Sequence, residues 1–198
     1  LRRRGIQAST APTQARENTS RPDLAWPGWR EFRVVQRGLE DAARSQCSFY
    51  LQPLDGQPLP AFRPGQFLTF SLELAAGAVG EPTRTITRCY SLSDRPDPAH
   101  YRVTIKRVPA PPDHPEFLPG LSSNHFHDHV RVGDVLRVKA PSGHFFIDPD
   151  PAVPAVLIGG GIGITPMMSM LRWCIANQPQ RPVHLFYGLR NSDEHAFK

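Results

Sequence analysis

The chain has 198 residues, which is enough for one large domain or two small ones, and 39% of them are hydrophobic. No apolar run approaches the length of a membrane span, so none is predicted. The net charge of +5 is concentrated in residues 1–30, which hold six arginines against two acidic residues; the nearly neutral remainder does not indicate a nucleic-acid-binding surface.

The three cysteines, Cys47, Cys89 and Cys174, lie far apart in the sequence. Their spacing matches neither a disulfide framework nor a set of zinc or iron–sulfur ligands. We therefore expect a reducing, cytoplasmic compartment and no metal ligated by these residues.

Residues 1–29 are polar and lack hydrophobic periodicity, which predicts a linker or tail whose Trp26 and Trp29 pack against the part that follows. From residue 30 onwards, short apolar stretches alternate with turn signals. The predicted strands are 32–36, 47–51, 67–74, 85–92, 101–108 and 135–140, and a short helix is predicted near 124–129. This pattern predicts a six-stranded antiparallel barrel over residues 30–148.

The segment Asp148-Pro-Asp-Pro151 interrupts the strand pattern and predicts a domain boundary. After it come a short apolar strand at 156–158, a glycine-rich loop, a helix at 167–177 and a strand at 183–188, which together predict a βαβ unit. Residues 153–198 are therefore expected to form the beginning of an α/β nucleotide-binding domain. Because parallel sheets are normally buried on both faces, we expect this domain to be truncated.

Residues 159–163 include four glycines and directly follow the apolar strand. Glycines allow a sharp turn and a close approach of backbone to a ligand, and Thr165 and Pro166 are expected as the N-cap and the first helical residue. Free N–H groups and a helix dipole predict a pyrophosphate site here, although a tight turn that binds nothing would also fit. A β-branched side chain at Gly163 is expected to strain the backbone and to occupy the space of the pyrophosphate.

Two further stretches carry groups that suit a nucleotide. In Arg88-Cys-Tyr-Ser91, a strand would place Arg88 and Tyr90 on one face, where arginine can bind a phosphate and tyrosine can stack on a flat ring. Gly120-Leu-Ser-Ser123 precedes the short helix and supplies hydroxyl and N–H groups for a second anion. Each stretch alone would also fit a surface arginine or an ordinary helix cap. Together with the glycine loop, they predict two phosphate sites and an aromatic platform.

These motifs resemble those of the flavin reductase module of the ferredoxin–NADP reductase superfamily, in which a FAD-binding barrel precedes an NAD(P)-binding α/β domain. The matching motifs cover about residues 30–198 in the family's order: Arg63-Pro-Gly-Gln-Phe67, Arg88-Cys-Tyr-Ser91, Gly120-x-x-Ser123-Asn124, Val132-Gly-Asp134, Pro141-Ser-Gly-His-Phe145, Gly159-Gly-Gly-x-Gly163-x-Thr165-Pro166 and Tyr187-Gly-x-Arg190. The stretch 120–134 is most similar to the reductase part of flavohaemoglobins. The stretch 187–190 is nearer to oxygenase reductases that are fused to a [2Fe–2S] domain.

The resemblance implies that FAD and NAD(P)H are the cofactors. Arg88 would hold the FAD phosphates, Tyr90 would stack on the isoalloxazine, and Ser91 would lie near the reactive flavin nitrogen. The other residues implied to contact FAD are Phe67, Cys89, Gly120, Ser122 and Ser123. The residues implied to bind NAD(P)H are Gly159, Gly160, Gly161, Ile162, Gly163, Ile164, Thr165 and Pro166. Thr165 would lie near the nicotinamide, so that Tyr90, Ser91 and Thr165 are the predicted catalytic residues.

The resemblance also implies an enzyme, an NAD(P)H-dependent FAD oxidoreductase that passes single electrons to an iron–sulfur or haem partner. A [2Fe–2S] cluster or haem would then lie in a part of the protein outside this chain. The alternative is a truncated FAD-binding module without reductase activity of its own. The histidines of the stretch 124–129 would suit a metal, but the family has a similar run without one, and a capped surface helix explains them.

Overall fold

A computed structural model describes residues 25–74 and 83–198 of the chain. The tail predicted over residues 1–29 therefore lies outside the described residues, except for its last five. Within those five, Trp26 donates from Nε1 to the carbonyl oxygen of Val138 at 3.3 Å. The ring of Trp29 lies 4.9 Å from the Lys139 ammonium. Both tryptophans therefore pack against the segment that follows them, as predicted.

Six strands form a single antiparallel sheet. They are β1 (Arg30–Leu39), β2 (Gln46–Pro53), β3 (Phe67–Leu74), β4 (Arg84–Ser91), β5 (Tyr101–Lys106) and β6 (Val135–Ser142). Their order across the sheet is β4-β3-β6-β1-β2-β5, and every neighbouring pair is antiparallel. β5 is shorter than the predicted 101–108 because the backbone of Val108 leaves the sheet and pairs with the side chain of Asn124.

The two outermost strands of this order, β4 and β5, approach each other just after the end of β4. Leu92, directly after β4, forms an antiparallel bridge with Val103 of β5. The N–H of Ser93 donates to the carbonyl oxygen of Arg102 at 2.9 Å. The six-stranded antiparallel sheet is therefore consistent with the predicted barrel.

The barrel interior is filled by alternate residues of its strands, because successive side chains of a strand point to opposite faces. Phe32 and Val34 of β1 and Phe70 of β3 are fully buried there. Helix α1 (Leu121–Asp128) begins three residues earlier than predicted and inserts Phe126 into this interior. The rings of Phe126 and Phe70 lie edge to face with centroids 5.4 Å apart, which anchors α1 to the barrel.

A second, parallel sheet consists of β7 (Ala155–Gly160) and β8 (Val183–Gly188), joined by helix α2 (Ile164–Asn177), as the predicted βαβ unit requires. Helix α2 covers one face of this sheet, where Leu157 and Met170 are buried together with Ile147. On the other face Ile158 and Phe186 are 69% and 59% exposed. Within residues 25–74 and 83–198, this sheet is therefore covered on one face only.

Helix α2 begins earlier than predicted. Its first residue is Ile164, after a 3-10 turn over Gly161–Gly163, and Gly163 occupies the N-cap position. The expectation that Thr165 is the N-cap and Pro166 the first helical residue was wrong. Pro166 is the third helical residue and is tolerated there because the N–H groups of the first turn have no acceptor within the helix. The hydroxyl of Thr165 instead donates to the carbonyl oxygen of Ile162 at 3.0 Å.

The α/β unit lies against the barrel. Ser169 of α2 is fully buried and donates from Oγ to the carbonyl oxygen of Asp94 at 2.7 Å. The N–H of Ile147 donates to the carbonyl oxygen of Pro64 at 3.1 Å. No helix in the described part of the chain is both long enough and apolar enough to cross a membrane.

Candidate active site

The glycine loop lies at the carboxyl end of β7, where ligands bind in open α/β sheets. Gly161 has φ +49°, in the left-handed region that favours glycine, and this residue turns the chain from β7 into α2. Gly163 has φ −63° and ψ −5°, a right-handed conformation open to any residue. The predicted strain for a side chain at Gly163 was therefore wrong, and the positive φ belongs to Gly161.

Three glycines of the loop have open space beside the backbone. A Cβ built at Gly160, Gly161 or Gly163 would meet no other described atom within 4 Å, which leaves the backbone accessible to a ligand. Gly159 differs, because a Cβ there would lie 3.0 Å from Cα of Ile164. The residues predicted to bind the coenzyme thus differ in solvent exposure. Gly160 and Gly163 are exposed, Gly161, Ile162 and Pro166 are half-buried, and Gly159, Ile164 and Thr165 are buried.

A cleft of about 670 Å³ lies between the glycine loop and the barrel. Two groups of residues line it: Lys106, Arg107, Val108 and Pro109 at the end of β5, and Gly160, Gly161, Ile162, Gly188, Leu189, Arg190 and Glu194 of the α/β unit. Its volume is within the range of small-molecule sites. Three of the lining residues are cationic. Lys106 is paired with Glu194 at 2.5 Å, and Arg107 with Asp128 at 2.6 Å.

The carboxyl end of β4 meets the start of α1 through two side chains. The hydroxyl oxygens of Tyr90 and Ser122 are 2.8 Å apart, and the Tyr90 ring lies edge-on to Phe126 with centroids 5.2 Å apart. Burial raises the pKa of Tyr90 above its usual value, against the weaker opposing effect of the Ser122 hydrogen bond. Tyr90 is therefore a neutral hydrogen-bonding group at physiological pH.

The pairing of β3 with β4 decides which side chains share a face. Tyr90 is opposite Leu68 and Arg88 is opposite Phe70, so Arg88 and Tyr90 lie on one face as predicted. Arg88 is exposed, and it donates to the carbonyl oxygen of Thr87 at 2.8 Å.

Cys89 and Ser91 lie on the opposite face of β4. Ser91 pairs with Phe67, and the exposed Cys89 lies with Sγ 3.4 Å from the hydroxyl of Thr69. The predicted flavin-contact residues of β3 and β4 are thus neighbours across one strand pair.

Helix α1 begins at a tight contact with the end of β5. The N–H of Gly120 donates to the carbonyl oxygen of Val108 at 2.9 Å, and a Cβ at Gly120 would lie 2.8 Å from Cβ of Val108. The Asn124 amide accepts from the Val108 N–H and donates to the Val108 carbonyl. Sequence reasoning missed these hydrogen bonds between Val108 and the start of α1. An asparagine that follows the helix start is the local signal for them.

The first turn of α1 contains the groups that were predicted to hold an anion. The N–H groups of residues 121–123 have no acceptor within the helix, which is the general basis of anion binding at helix N-termini. Ser122 and Ser123 are both buried, at 8% exposure, and Ser123 donates to the carbonyl oxygen of Gly120 at 3.3 Å. Since Val108 holds Gly120 and also lines the 670 Å³ cleft, the α1 terminus and the glycine loop border one region of the surface.

The histidines of α1 do not point to a common centre. His127 is buried and its Nε2 is 2.9 Å from the carbonyl oxygen of Ile105, whereas the rings of His125 and His129 pack on each other with centroids 5.3 Å apart. Burial lowers the pKa of His127, and burial together with the nearby His129 lowers that of His125. Within the part of the chain that the structure describes, no three His, Cys, Asp or Glu side chains converge as metal ligands.

Comparisons with known proteins find similar chains. A family model described as an oxidoreductase NAD-binding domain matches residues 157–198. A flavohemoprotein of Bacillus cereus is 41% identical over 182 residues, which are 92% of this chain and 42% of that protein. Flavohemoprotein B of Dictyostelium discoideum is 37% identical over 87% of this chain and 40% of its own length. The chain thus spans about two fifths of the length of these relatives.

Two solved structures are similar as well. The Flavohem-like FAD/NAD binding domain of nitric oxide dioxygenase from Vibrio cholerae has a TM-score of 0.74 and 33% identity, over 86% of this chain and 66% of that one. Phthalate dioxygenase reductase, described as a modular structure for electron transfer from pyridine nucleotides to [2Fe–2S], has a TM-score of 0.67 and 29% identity. The match covers 86% of this chain and 46% of the reductase chain.

Proposed function

Because this chain belongs to the ferredoxin–NADP reductase superfamily of flavin reductase modules, we propose that it binds FAD and oxidises NAD(P)H. In this proposal a hydride passes from NAD(P)H to FAD, and single electrons then pass to an iron–sulfur or haem acceptor. One observation carries the proposal: Val108 holds the start of α1 by a backbone hydrogen bond from Gly120 and by two hydrogen bonds with the Asn124 side chain, and it also lines the cleft beside the glycine loop. The two candidate nucleotide sites are therefore adjacent.

The flavin is assigned to β4 and the start of α1. Arg88 would bind its phosphates by charge-assisted hydrogen bonds, together with the first-turn N–H groups beside Ser122 and Ser123. Tyr90 would stack on the isoalloxazine ring, and its bond to Ser122 fixes the orientation of the tyrosine. Ser91 would hydrogen-bond near the reactive nitrogen. Phe67, Cys89 and Gly120 would complete the flavin contacts.

The coenzyme is assigned to the glycine loop. The open backbone of Gly160, Gly161 and Gly163 suits a pyrophosphate, which needs N–H donors and no side chains in the way. Gly159 and Ile164 would support the loop by packing, and Thr165 would hold the nicotinamide end. When both nucleotides are bound, they supply the hydride chemistry, and the side chains named here orient the two rings and exclude water.

We propose a one-electron acceptor, either a domain or a separate protein, that carries haem or an iron–sulfur centre, because the similar proteins are named as flavohemoproteins and as a reductase for [2Fe–2S]. A cytoplasmic location is proposed from the three separate free cysteines. The second candidate function is a flavin-binding module without reductase activity. The exposed face of the β7–β8 sheet favours it, since a coenzyme site on a two-stranded sheet that is covered on one face only would be weak.

The identity of the bound flavin tests the assignment of α1. We expect the purified protein to be yellow and to carry FAD rather than FMN, because the α1 terminus supplies a second phosphate site that a mononucleotide would leave empty. Release of the flavin with acid and chromatography against both standards measures this. Recovery of FMN alone, or of no flavin from folded protein reconstituted with FAD, would refute the proposal.

A further inference from the structure

Asp94 joins the barrel to helix α2 through both its side chain and its backbone. Its carboxylate oxygen Oδ2 accepts from Arg172 of α2 at 2.6 Å, and its carbonyl oxygen accepts from the Ser169 hydroxyl at 2.7 Å. Ser169 is fully buried at this contact. Two side chains of α2, one turn apart, therefore reach a single residue that follows β4.

The barrel holds Asp94 in a fixed position. The same oxygen Oδ2 is 3.4 Å from Nη1 of Arg102, whose side chain is 3% exposed. Arg102 also donates to Glu40 at 2.6 Å and to the Ser48 hydroxyl at 3.1 Å. Asp94 thus contacts a buried arginine whose three guanidinium nitrogens each have a hydrogen-bond partner, which limits the movement of Asp94.

The charges of this cluster balance only when α2 is in place. Arg102 faces the carboxylates of Glu40 and Asp94, which leaves one negative charge in excess, and Arg172 neutralises it. The Asp94 and Arg172 side chains are 21% and 35% exposed, so their attraction is screened by solvent only in part. The cluster therefore favours one docked position of α2.

The contact lies on the same stripe of α2 as Thr165. Residues 165, 169 and 172 are separated by four and three positions, which places them on one face of a helix. Ser169 is about 6 Å along the helix axis from Thr165, at a rise of about 1.5 Å per residue. On the barrel side, Asp94 is three residues after Ser91, and the intervening Leu92 and Ser93 are held by backbone hydrogen bonds to the barrel.

We propose that Asp94 is a positioning residue, which through Arg172 and Ser169 sets the distance between the flavin-contact end of β4 and the Thr165 end of α2. The inference rests on the proposed function, since it assigns the flavin to β4 and the nicotinamide to the glycine loop. Hydride transfer requires the two rings in contact, and a misplacement of about 1 Å costs a rate factor of roughly 100. The Asp94 contact therefore acts on the transfer step and leaves flavin affinity unchanged.

The test compares three variants of the 198-residue chain. Arg172→Gln removes the bridging charge and leaves Asp94 and Arg102 intact, and Arg172→Lys restores a cation of similar reach. Arg95→Gln is the matched control, because Arg95 lines the same surface depression but touches Asp94 only through its backbone N–H. For each, we would measure the affinity for FAD, the rate of flavin reduction by NAD(P)H under anaerobic stopped-flow conditions, and amide hydrogen exchange over residues 90–95 and 164–172.

We expect Arg172→Gln to slow flavin reduction by about 10-fold to 100-fold. In this variant the affinity for FAD stays unchanged and amide hydrogen exchange increases in both segments. Arg172→Lys recovers most of the rate, and Arg95→Gln behaves like the unsubstituted chain. An unchanged rate for Arg172→Gln overturns the proposal, whether or not exchange increases. Loss of FAD affinity in parallel with the rate also overturns it. If the unsubstituted chain binds FAD but its flavin is not reduced, the proposed function fails instead. In that case, unchanged hydrogen exchange in Arg172→Gln would show that the Asp94–Arg172 contact does not hold α2 on the barrel, which also overturns the proposal.

Discussion

Two glycines of the same loop differ in their backbone φ angle, and therefore in how well they tolerate a side chain. Gly161 has φ +49° and Gly163 has φ −63°. A side chain at φ +49° costs about 1–2 kcal/mol, whereas alanine in a right-handed position is tolerated and lowers the entropy of the unfolded chain. We therefore expect Gly161→Ala to lower the free energy of unfolding by about that amount and Gly163→Ala to leave it unchanged or raise it. Urea denaturation of the two variants measures this, and equal effects would contradict the assigned loop geometry.

Arg88 is the residue on which the flavin assignment depends most. We expect Arg88→Ala to weaken FAD binding by about 1.5–3 kcal/mol, or roughly 10-fold to 150-fold, because a charge-assisted phosphate contact is lost. Tyr90→Phe keeps the stacking ring and is expected to cost less. Arg84→Ala is the control, since Arg84 is exposed and has the same side-chain direction at the other end of β4. Titration with FAD measures all three, and an equal loss for Arg84→Ala and Arg88→Ala would show that Arg88 makes no specific contact.

At the scale of single residues, sequence reasoning succeeds where the cause is local. The shared face of Arg88 and Tyr90 follows from strand alternation alone, and the pairing with Phe70 and Leu68 confirms it. The contact between Tyr90 and Ser122 spans 32 positions and could not be predicted, because it depends on how α1 packs into the barrel. The N-cap assigned to Thr165 was wrong because the 3-10 turn of the glycine loop begins the helix earlier.

At the scale of elements, helix α1 should confer a pH dependence on folding through His127. Burial lowers the pKa of His127 in the folded protein from its ordinary value of 6.5, so the unfolded chain binds a proton more readily. Stability is then fully present above about pH 6.5 and is lost as the pH falls below it, by at most about 1.4 kcal/mol per pH unit for one group. We expect His127→Gln, which keeps a donor for the Ile105 carbonyl, to reduce this loss.

Urea denaturation between about pH 5 and pH 8 measures the slope. His125 contributes in the same direction, so the slope of the His127→Gln variant is reduced and not abolished. His184→Gln serves as the control, because His184 is exposed on β8. A slope that is identical in the His127→Gln variant and the unsubstituted chain would contradict the buried, neutral state of His127.

The elements themselves were predicted largely from alternation and turn signals. Strands β3 and β8 match their predicted bounds, because turn residues delimit both apolar runs. β5 ends two residues before its predicted end, since Asn124, sixteen positions away, takes up the backbone groups of Val108. The strand order β4-β3-β6-β1-β2-β5 is a matter of long-range pairing, and no local pattern indicates it.

At the scale of the whole molecule, the division into a barrel and a βαβ unit was predicted from the change in pattern near residue 150. The docking of α2 on the barrel was not predicted, because Asp94, Ser169 and Arg172 are ordinary surface residue types when taken singly. The boundary at 148–153 stays a prediction, and Ile147 already packs into the second core. The position of the βαβ unit relative to the barrel brings the two candidate nucleotide sites together.

Reduction of bound FAD by NAD(P)H tests whether this chain binds the two nucleotides side by side and transfers a hydride between them. The 198-residue chain, loaded with FAD under anaerobic conditions, is mixed with NADH or NADPH while the flavin absorbance is followed, and dithionite serves as the control that the flavin can be reduced. We expect bleaching whose rate saturates with the coenzyme concentration, because transfer occurs within a complex of both nucleotides. Bleaching by dithionite but by neither coenzyme would contradict it and would leave a flavin-binding module without reductase activity.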